Sequence, residues 1–119
     1  HNCLLYTGIS NFDEWAFSGL SGEPVLVKVR SNFQSNSSEA IRQAVIEGLG
    51  ISYSPTWIYG EDLRQKRVKV ILKHVQTSDL PLNVVFQPAR RPSLKINSFV
   101  QFFSNAFAQD PDLKPHLRG

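Results

Sequence analysis

The sequence predicts an α/β fold, in which short apolar strands alternate along the chain with amphipathic helices. The main support is residues 36–55, NSSEAIRQAVIEGLGISYSP, which encode in succession a cap, a helix, a glycine turn, a strand and a helix-starting proline. The same alternation continues along the chain without an internal repeat or a low-complexity segment. Strands are expected near residues 2–7, 25–30, 50–53, 67–72 and 83–88, and helices near 37–48, 55–65 and 94–108.

The first third of the chain is predicted to be rich in strands. HNCLLY (1–6) gives the apolar run of the first strand, and VLVKVR (25–30) gives another. The segment between them is rich in glycine and serine, which favours turns. Trp15 and Phe17 interrupt this segment with alternate spacing, which predicts a further short strand.

The helix predicted at 37–48 has clear start and stop signals. Asn36 is a good N-cap, and Glu39 stands where it can complete a capping box. Gly48 and Gly50 follow as stop signals, because glycine tolerates the left-handed conformation that ends many helices. We interpret both glycines as structural. One face of this helix is apolar, through Ala40, Ile41, Ala44, Val45 and Leu49.

The second half of the chain is predicted from shorter signals and one long helix. Pro55 suits the first turn of a helix, and the basic residues between 64 and 69 are typical of an edge strand guarded against mispairing. The helix at 94–108 carries a continuous apolar stripe, made by Ile96, Phe99, Val100, Phe103, Ala106 and Phe107.

Composition narrows the functional classes. The chain has 119 residues, enough for one domain, and it lacks methionine even at position 1, so we expect it to be part of a longer translation product. The formal charge of +3 is spread along the chain, which disfavours direct DNA binding. No apolar run could span a membrane and no signal peptide opens the chain. The single Cys3, expected to be buried and inert, suits a reducing compartment, so a cytoplasmic location is predicted.

Catalytic and metal-binding chemistry find little support. The three histidines, His1, His74 and His116, are scattered, and the motifs G-x-S-x-G and H-E-x-x-H are absent from the sequence. We therefore predict no enzyme activity, no metal site and no cofactor.

The segment 36–55 resembles the effector-binding domain of LysR-type bacterial transcription regulators. The resemblance continues on both sides, through 1–6, 25–30, DLRQKRVKVIL (62–72) and LPLNVVFQPARRPSLKINSFVQFF (80–103). The ordered series of segments carries the resemblance, which ends near Ala108. The residues that match the family pattern in the central segment are Asn36, Ala40, Ala44, Gly48, Leu49, Gly50, Ile51 and Pro55.

The resemblance implies one lobe of a two-lobed fold like that of type 2 periplasmic binding proteins, with a mixed sheet flanked by helices. Residues 1–80 would form the second lobe of the effector-binding domain. Residues 81–109 would be the return strand and C-terminal helix, which belong with a first lobe that precedes His1. Residues 110–119 are expected to form a flexible tail.

The resemblance also implies where an effector binds, in a cleft between the lobes. One candidate segment surrounds the helix N-terminus, which favours carboxylates, although Asn36 could cap its helix and do nothing more. A second follows the strand at 50–53. Two residues of the return strand are the third candidate, with ordinary strand packing as the alternative. The predicted effector-binding residues are Ser35, Asn36, Ser37, Ser38, Tyr53, Ser54, Pro55, Phe86 and Gln87.

By this resemblance, the chain is predicted to be the effector-sensing module of a LysR-type regulator. Its partners would be a small-molecule effector, in particular a small organic acid, and further copies of itself in a homo-oligomer. It would not contact a membrane, and it would reach DNA only through an N-terminal winged helix-turn-helix outside these residues. A fragment of a solute-binding protein of the same fold is the first alternative, and a small hydrolase is the second.

Overall fold

The computed structural model describes residues 1–19, 21–75, 77, 80–85 and 93–113. The chain divides into two compact units, His1–Ser78 and Asp79–Gly119. The first unit contains all the strands of the described residues. In chain order the elements are β1 (Cys3–Tyr6), β2 (Glu14–Ser18), β3 (Pro24–Lys28), β4 (Phe33–Ser35), α1 (Ser38–Ile46), β5 (Ile51–Ser52), a 3-10 helix (Thr56–Tyr59), α2 (Gly60–Arg64) and α3 (Leu94–Gln109).

The centre of the first unit is a three-stranded parallel sheet in the order β4–β1–β5. β1 pairs with β4 from Leu4 opposite Phe33 to Tyr6 opposite Ser35, and with β5 through Cys3 opposite Ile51. The apolar run of β1 suits this central position, because the consecutive residues Cys3, Leu4 and Leu5, which point to alternate faces, are all buried. The α/β architecture predicted from the sequence is therefore confirmed.

The core lies between β1 and α1. Leu4 is 1% exposed and packs with Ile41 and Ala44 of α1, and Tyr6 and Phe33 complete the cluster. Burying a leucine or isoleucine side chain stabilises a fold by about 1.5–3 kcal/mol. The apolar face predicted for α1 is thus the face that holds the helix on the sheet.

The amino end of β1 is fastened to both of its neighbours by Asn2. Its side-chain amide donates to the carbonyl of Leu49 at 2.9 Å, and its side-chain oxygen accepts from the Asn32 amide at 3.3 Å. The Ile51 amide donates to the Asn2 carbonyl at 3.0 Å. A Cβ on Gly50 would collide with that carbonyl, so glycine is required where β5 approaches β1.

The strands β2 and β3 form a separate antiparallel hairpin, with Trp15 opposite Val27 and Phe17 opposite Val25. The predicted short strand at Trp15 and Phe17 is confirmed. Parallel and antiparallel pairings, both expected of a mixed sheet, are divided here between two sheets. All five residues of β3 are exposed, whereas four of the five in β2 are half-buried.

The start of α1 corrects the predicted cap. Ser37, not Asn36, is the N-cap, because the Ser37 hydroxyl accepts from the Ala40 amide at 3.3 Å. Glu39 does not complete a capping box with Asn36, and its carboxylate instead pairs with Arg42 at 2.7 Å. Shifting the cap by one residue lets the shorter serine side chain reach the third helical amide.

The end of α1 agrees with the predicted glycine stop. Gly48 has a φ of 75°, the left-handed conformation that glycine tolerates. The Gly48 amide donates to the Val45 carbonyl at 3.0 Å, and the Leu49 amide donates to the Ala44 carbonyl at 3.0 Å. These two bonds form a Schellman motif, which satisfies carbonyls that the helix leaves open.

A buried ion pair joins α1 to α2. Asp62 is completely buried, and its carboxylate accepts two bonds from the Arg42 guanidinium, at 2.6 Å from Nε and 3.0 Å from Nη2. Arg67 contacts the same carboxylate. Hydrogen bonds from Arg42 hold the pKa of the Asp62 carboxyl below its usual value. The buried carboxylate therefore has charged partners, which offset the cost of removing it from water.

Two predicted elements differ from the structure, and one strand was missed. No strand forms at 67–72. The backbone is left-handed at Lys66 and Leu72, at the two ends of this run, and the Arg67 amide turns back to the Asp62 carbonyl at 2.9 Å. The helix predicted at 55–65 is divided into the 3-10 helix and α2. β4 was not predicted, since three residues are too few for a pattern.

The second unit is described at 80–85 and 93–113, so half of the predicted strand at 83–88, residues 86–88, lies outside the described residues. Residues 83–85 are not in a strand. The predicted helix at 94–108 is confirmed as α3, which Ser93 caps by accepting from the Ile96 amide at 3.3 Å. Phe103 contacts Phe99, Phe102 and Phe107 along the apolar stripe, yet no residue of α3 is buried.

None of the helices in the described part of the chain combines the length and the apolar character needed to cross a membrane. The predicted tail begins with a turn, in which the Asp112 amide donates to the Asp110 carboxylate at 2.8 Å. Residues 114–119 lie outside the described residues.

Replacing Asp62 by alanine is expected to lower the free energy of unfolding by about 2–3 kcal/mol. Removing one partner of a fully buried pair costs more, but Arg42 is part exposed and keeps Glu39 as a partner. Urea denaturation measures the difference. The matched control is Glu61→Ala, which removes an exposed carboxylate paired with Arg64 and should lower the free energy of unfolding much less. Equal losses in the two variants would contradict the assigned role of Asp62.

The contribution of Asp62 should depend on pH in a defined direction. Because the folded-state pKa is lowered, the stabilisation is complete above the unfolded value near about 3.9 and is lost as the pH falls through the folded value. The difference in unfolding free energy between the parent and Asp62→Asn should therefore be constant at neutral pH. It should shrink progressively below about pH 4, measured by urea denaturation across an acid series. A difference that grows on acidification would refute the argument.

Candidate functional site

The candidate site is the carboxyl edge of the parallel sheet. Because β1, β4 and β5 run in the same direction, their last residues, Tyr6, Ser35 and Ser52, lie along one edge. In open α/β sheets, ligands bind at this edge, where loops leave the strands and helices begin. Seven of the predicted site residues follow β4 or β5 here.

One side of the edge is the connection from β4 to α1, which holds Ser35, Asn36, Ser37 and Ser38. The Ser35 carbonyl accepts from the Thr7 amide at 2.9 Å, and its hydroxyl accepts from the Ser37 amide at 3.0 Å. Asn36, Ser37 and Ser38 are exposed and therefore open to a ligand. The connection is thus fixed to β1 by its backbone while most of its polar side chains face solvent.

The electrostatics of this side favour an anion. The first amides of a helix carry partial positive charge and lack intrahelical partners. Glu39, in the first turn of α1, would oppose an anion, but Arg42 pairs with its carboxylate at 2.7 Å and offsets that charge. The repulsion between Glu39 and a bound anion is therefore reduced by a contact within the same helix.

The other side of the edge follows β5 and holds Tyr53, Ser54 and Pro55. The Ser54 hydroxyl donates to the Ser52 hydroxyl at 3.2 Å, and the latter is bonded to the Tyr59 hydroxyl at 2.8 Å. Pro55 precedes the 3-10 helix as its N-cap. This connection is a hydroxyl-lined turn whose direction Tyr59, which is buried, helps to fix.

The spacing of the two sides follows from the sheet itself. β4 and β5 lie on opposite edges of β1, so about two strand spacings, roughly 10 Å, separate them. Within the sheet this space is occupied by β1, and the two connections lie on either side of its carboxyl end. The sheet thus brings two predicted segments to one edge, although they are about 20 residues apart in sequence.

Tyr53 has a partner that the sequence did not indicate. Its hydroxyl donates to the Ala16 carbonyl at 2.7 Å, and its ring stacks on Trp15 at a centroid distance of 5.7 Å. Phe17 meets the same ring edge-on at 5.4 Å. Burial raises the pKa of the Tyr53 phenol. Its O–H donor is therefore used within the protein, which leaves the ring rather than the donor for a ligand.

Phe86 and Gln87, the remaining predicted site residues, lie outside the described residues. Trp15 and Phe17 also contact the candidate site, although the sequence predicted only that they lie in a strand. Their alternate spacing showed that they share a face, but nothing local indicated that this face packs on Tyr53.

The described residues offer little for metal or nucleophilic chemistry. Among them, no group of three histidine, cysteine, aspartate or glutamate side chains is arranged to hold a metal ion. Cys3 is buried in β1, as predicted, and its thiol faces the His1 carbonyl at 3.8 Å. The polar groups that line the edge are hydroxyls and the amides at the start of α1.

Comparison with known proteins gives a family and a relative. Residues 1–108 match the family model of the LysR substrate binding domain. Over 96 residues the chain is 29% identical to an uncharacterized HTH-type transcriptional regulator of Haemophilus influenzae, an alignment that covers 81% of this chain and 33% of that protein. The chain thus spans about one third of the length of this curated relative. No solved structure matches the chain.

Tyr53 should titrate at a higher pH than an ordinary tyrosine. Burial favours its neutral form, so this stabilisation is present below the unfolded pKa near about 10 and is lost as the pH rises through the folded value. A spectroscopic titration of tyrosinate formation is expected to lose a step above the ordinary tyrosine range in Tyr53→Phe. The same step should persist in Tyr6→Phe, which serves as the control. Its persistence in Tyr53→Phe would show that another group is responsible.

Proposed function

The chain belongs to the family of LysR substrate-binding domains, and we propose that it senses a small organic acid on behalf of a DNA-binding transcription regulator. The observation that supports this most strongly is the parallel pairing of β1 with both β4 and β5. That pairing brings the serine-rich start of α1 and the turn after β5 to the same sheet edge. Helix amides and hydroxyls suit a carboxylate.

The acid would bind with its carboxylate at the first turn of α1. Ser38 and Asn36 are exposed there, and the Glu39 carboxylate is offset by Arg42. The apolar part of the ligand would extend toward the Tyr53 ring. Phe86 and Gln87 would contact it from the return strand, as the family resemblance implies. Backbone amides would supply much of the recognition, since Ser37 already uses its hydroxyl as the helix cap.

In the whole protein, residues 1–80 would act as the second lobe of a two-lobed domain like that of type 2 periplasmic binding proteins. The division of the chain near Ser78 agrees with this assignment. The apolar stripe of α3, in which Phe99 is more than half exposed, would be covered by the first lobe. A soluble protein rarely leaves such a stripe open.

The regulator would act in the cytoplasm as a homo-oligomer and hold DNA through a separate helix-turn-helix domain. The HTH-type relative favours this function over transport of a solute, and the regulatory family favours it over catalysis. An effector could shift the oligomer between two states only to the extent that it binds one of them more tightly.

The proposal predicts that Ser38→Asp weakens binding of acids. A new carboxylate at the first helical position repels a bound anion, and a loss of about tenfold in affinity is expected. The same change stabilises α1, because aspartate complements the helix dipole, so unfolding would not explain the loss. Isothermal titration with acetate, succinate and benzoate gives the measurement.

The matched control is Ser98→Asp, which makes the same substitution at an exposed position in the middle of α3. It should leave the affinity unchanged. If no acid binds the parent chain when it is studied within its complete two-lobed domain, the proposed ligand class is wrong. If Ser38→Asp and Ser98→Asp weaken binding equally, the assigned carboxylate position is wrong.

A further inference from the structure

The hairpin β2–β3 has two kinds of attachment to the parallel sheet. The first is at its base, where the chain leaves β1 and enters β4. The Thr7 amide donates to the Ser35 carbonyl at 2.9 Å, and the Cys3 amide donates to the Arg30 carbonyl at 3.3 Å. The second is Tyr53, which contacts the middle of β2. Among the described elements, the two hairpin strands pack extensively only against each other.

The contact with Tyr53 uses the free edge of β2. The pair Gly19–Glu23 is hydrogen-bonded, so in this antiparallel ladder the backbone groups of Phe17 and Trp15 also face β3, while those of Ala16 face away. The Tyr53 hydroxyl donates to this outward Ala16 carbonyl at 2.7 Å. Trp15 and Phe17 hold the ring from one face of the hairpin. The hairpin is therefore docked through one tyrosine.

The hairpin lies on the side of the sheet where the candidate site is. It leaves the carboxyl end of β1 after Tyr6, and it docks on Tyr53, directly after the carboxyl end of β5. The outgoing arm and the Tyr53 contact are thus at the carboxyl edge, whereas the returning arm reaches the amino end of β4, where the Arg30 carbonyl accepts from the Cys3 amide. Every residue of the outer strand β3 is exposed. A segment with so few buried contacts belongs to the low-stability end of a fold.

We propose that the β2–β3 hairpin is a flap over the carboxyl edge of the sheet, hinged at residues 7–13 and 29–32 and latched by Tyr53. In this role Tyr53 is a positioning residue. Its hydroxyl and ring hold the hairpin, and opening of the latch exposes the edge as the hairpin swings away intact. That the flap controls an effector site rests on the proposed function, whereas the latch itself does not.

The latch can be measured through Trp15. The chain has two tryptophans, so Trp57→Phe, a change at an exposed position, leaves Trp15 as the only fluorescent indole. In this background Tyr53→Phe removes the hydrogen bond and keeps the ring, which should shift docking about fivefold toward the open state. Tyr53→Ala also removes both ring contacts and should shift it by more than about tenfold. Acrylamide quenching of Trp15 reports the open fraction in the complete chain.

A second readout separates opening of the flap from unfolding of the hairpin. Hydrogen exchange should show that the amides of Val25 and Val27, which face β2, stay protected in Tyr53→Ala, as do those of β1. The flap is supported if exposure of Trp15 increases from the parent to Tyr53→Phe to Tyr53→Ala while the amides of Val25 and Val27 stay protected. Unchanged quenching in Tyr53→Ala overturns it, and so does loss of Val25 and Val27 protection together with Trp15 exposure. Neither readout uses an effector, so a failure to find an acid that binds would count against the proposed function alone.

Discussion

The pairing of β1 with a parallel neighbour on each edge is the constraint on which the rest of the molecule depends. β1 contributes the most buried side chains of the core, and α1 is packed on them through Ile41 and Ala44. The same pairing aligns the carboxyl ends of three strands that come from distant parts of the sequence. The stability of the core and the arrangement of the candidate site therefore depend on the same pairing, since the sheet on which α1 packs also aligns the carboxyl ends of its strands.

The paired charges around Asp62 extend this constraint beyond the sheet. A fully buried carboxylate is costly unless its partners are fixed, and Arg42 supplies a two-pronged contact from α1. Because α1 is already packed on β1, the ion pair between Arg42 and Asp62 also fixes the position of α2. The contact of Arg67 with the same carboxylate does so for the chain after α2. The same arginine also offsets the charge of Glu39, so one side chain serves both the fold and the electrostatics of the helix start.

The features that could be predicted from the sequence depend on residues close together in the chain, whereas those that could not depend on contacts between distant residues. α1, α3, the first strand and the strand at Trp15 and Phe17 were predictable, because their apolar periodicity and end signals lie within a few residues. The exact cap was not, since Asn36 and Ser37 have similar capping preferences and the geometry of the turn after β4 decides between them. The predicted strand at 67–72 failed because a strand requires a neighbour, which no local pattern can supply. For the candidate site, the two polar segments were foreseen, but the bond from Tyr53 to Ala16, across 37 residues, was not.

Gly50 shows how the width of the edge is controlled from the far end of the strands. Its missing side chain lets β5 lie directly against the Asn2 backbone, at the amino end of the sheet. Any larger residue would wedge the two strands apart there, and the turn that carries Tyr53, Ser54 and Pro55 would move with β5. The distance between the two halves of the candidate site therefore depends on the absence of a side chain at Gly50. This residue lies at the amino end of the sheet, which a ligand at the carboxyl edge would not touch.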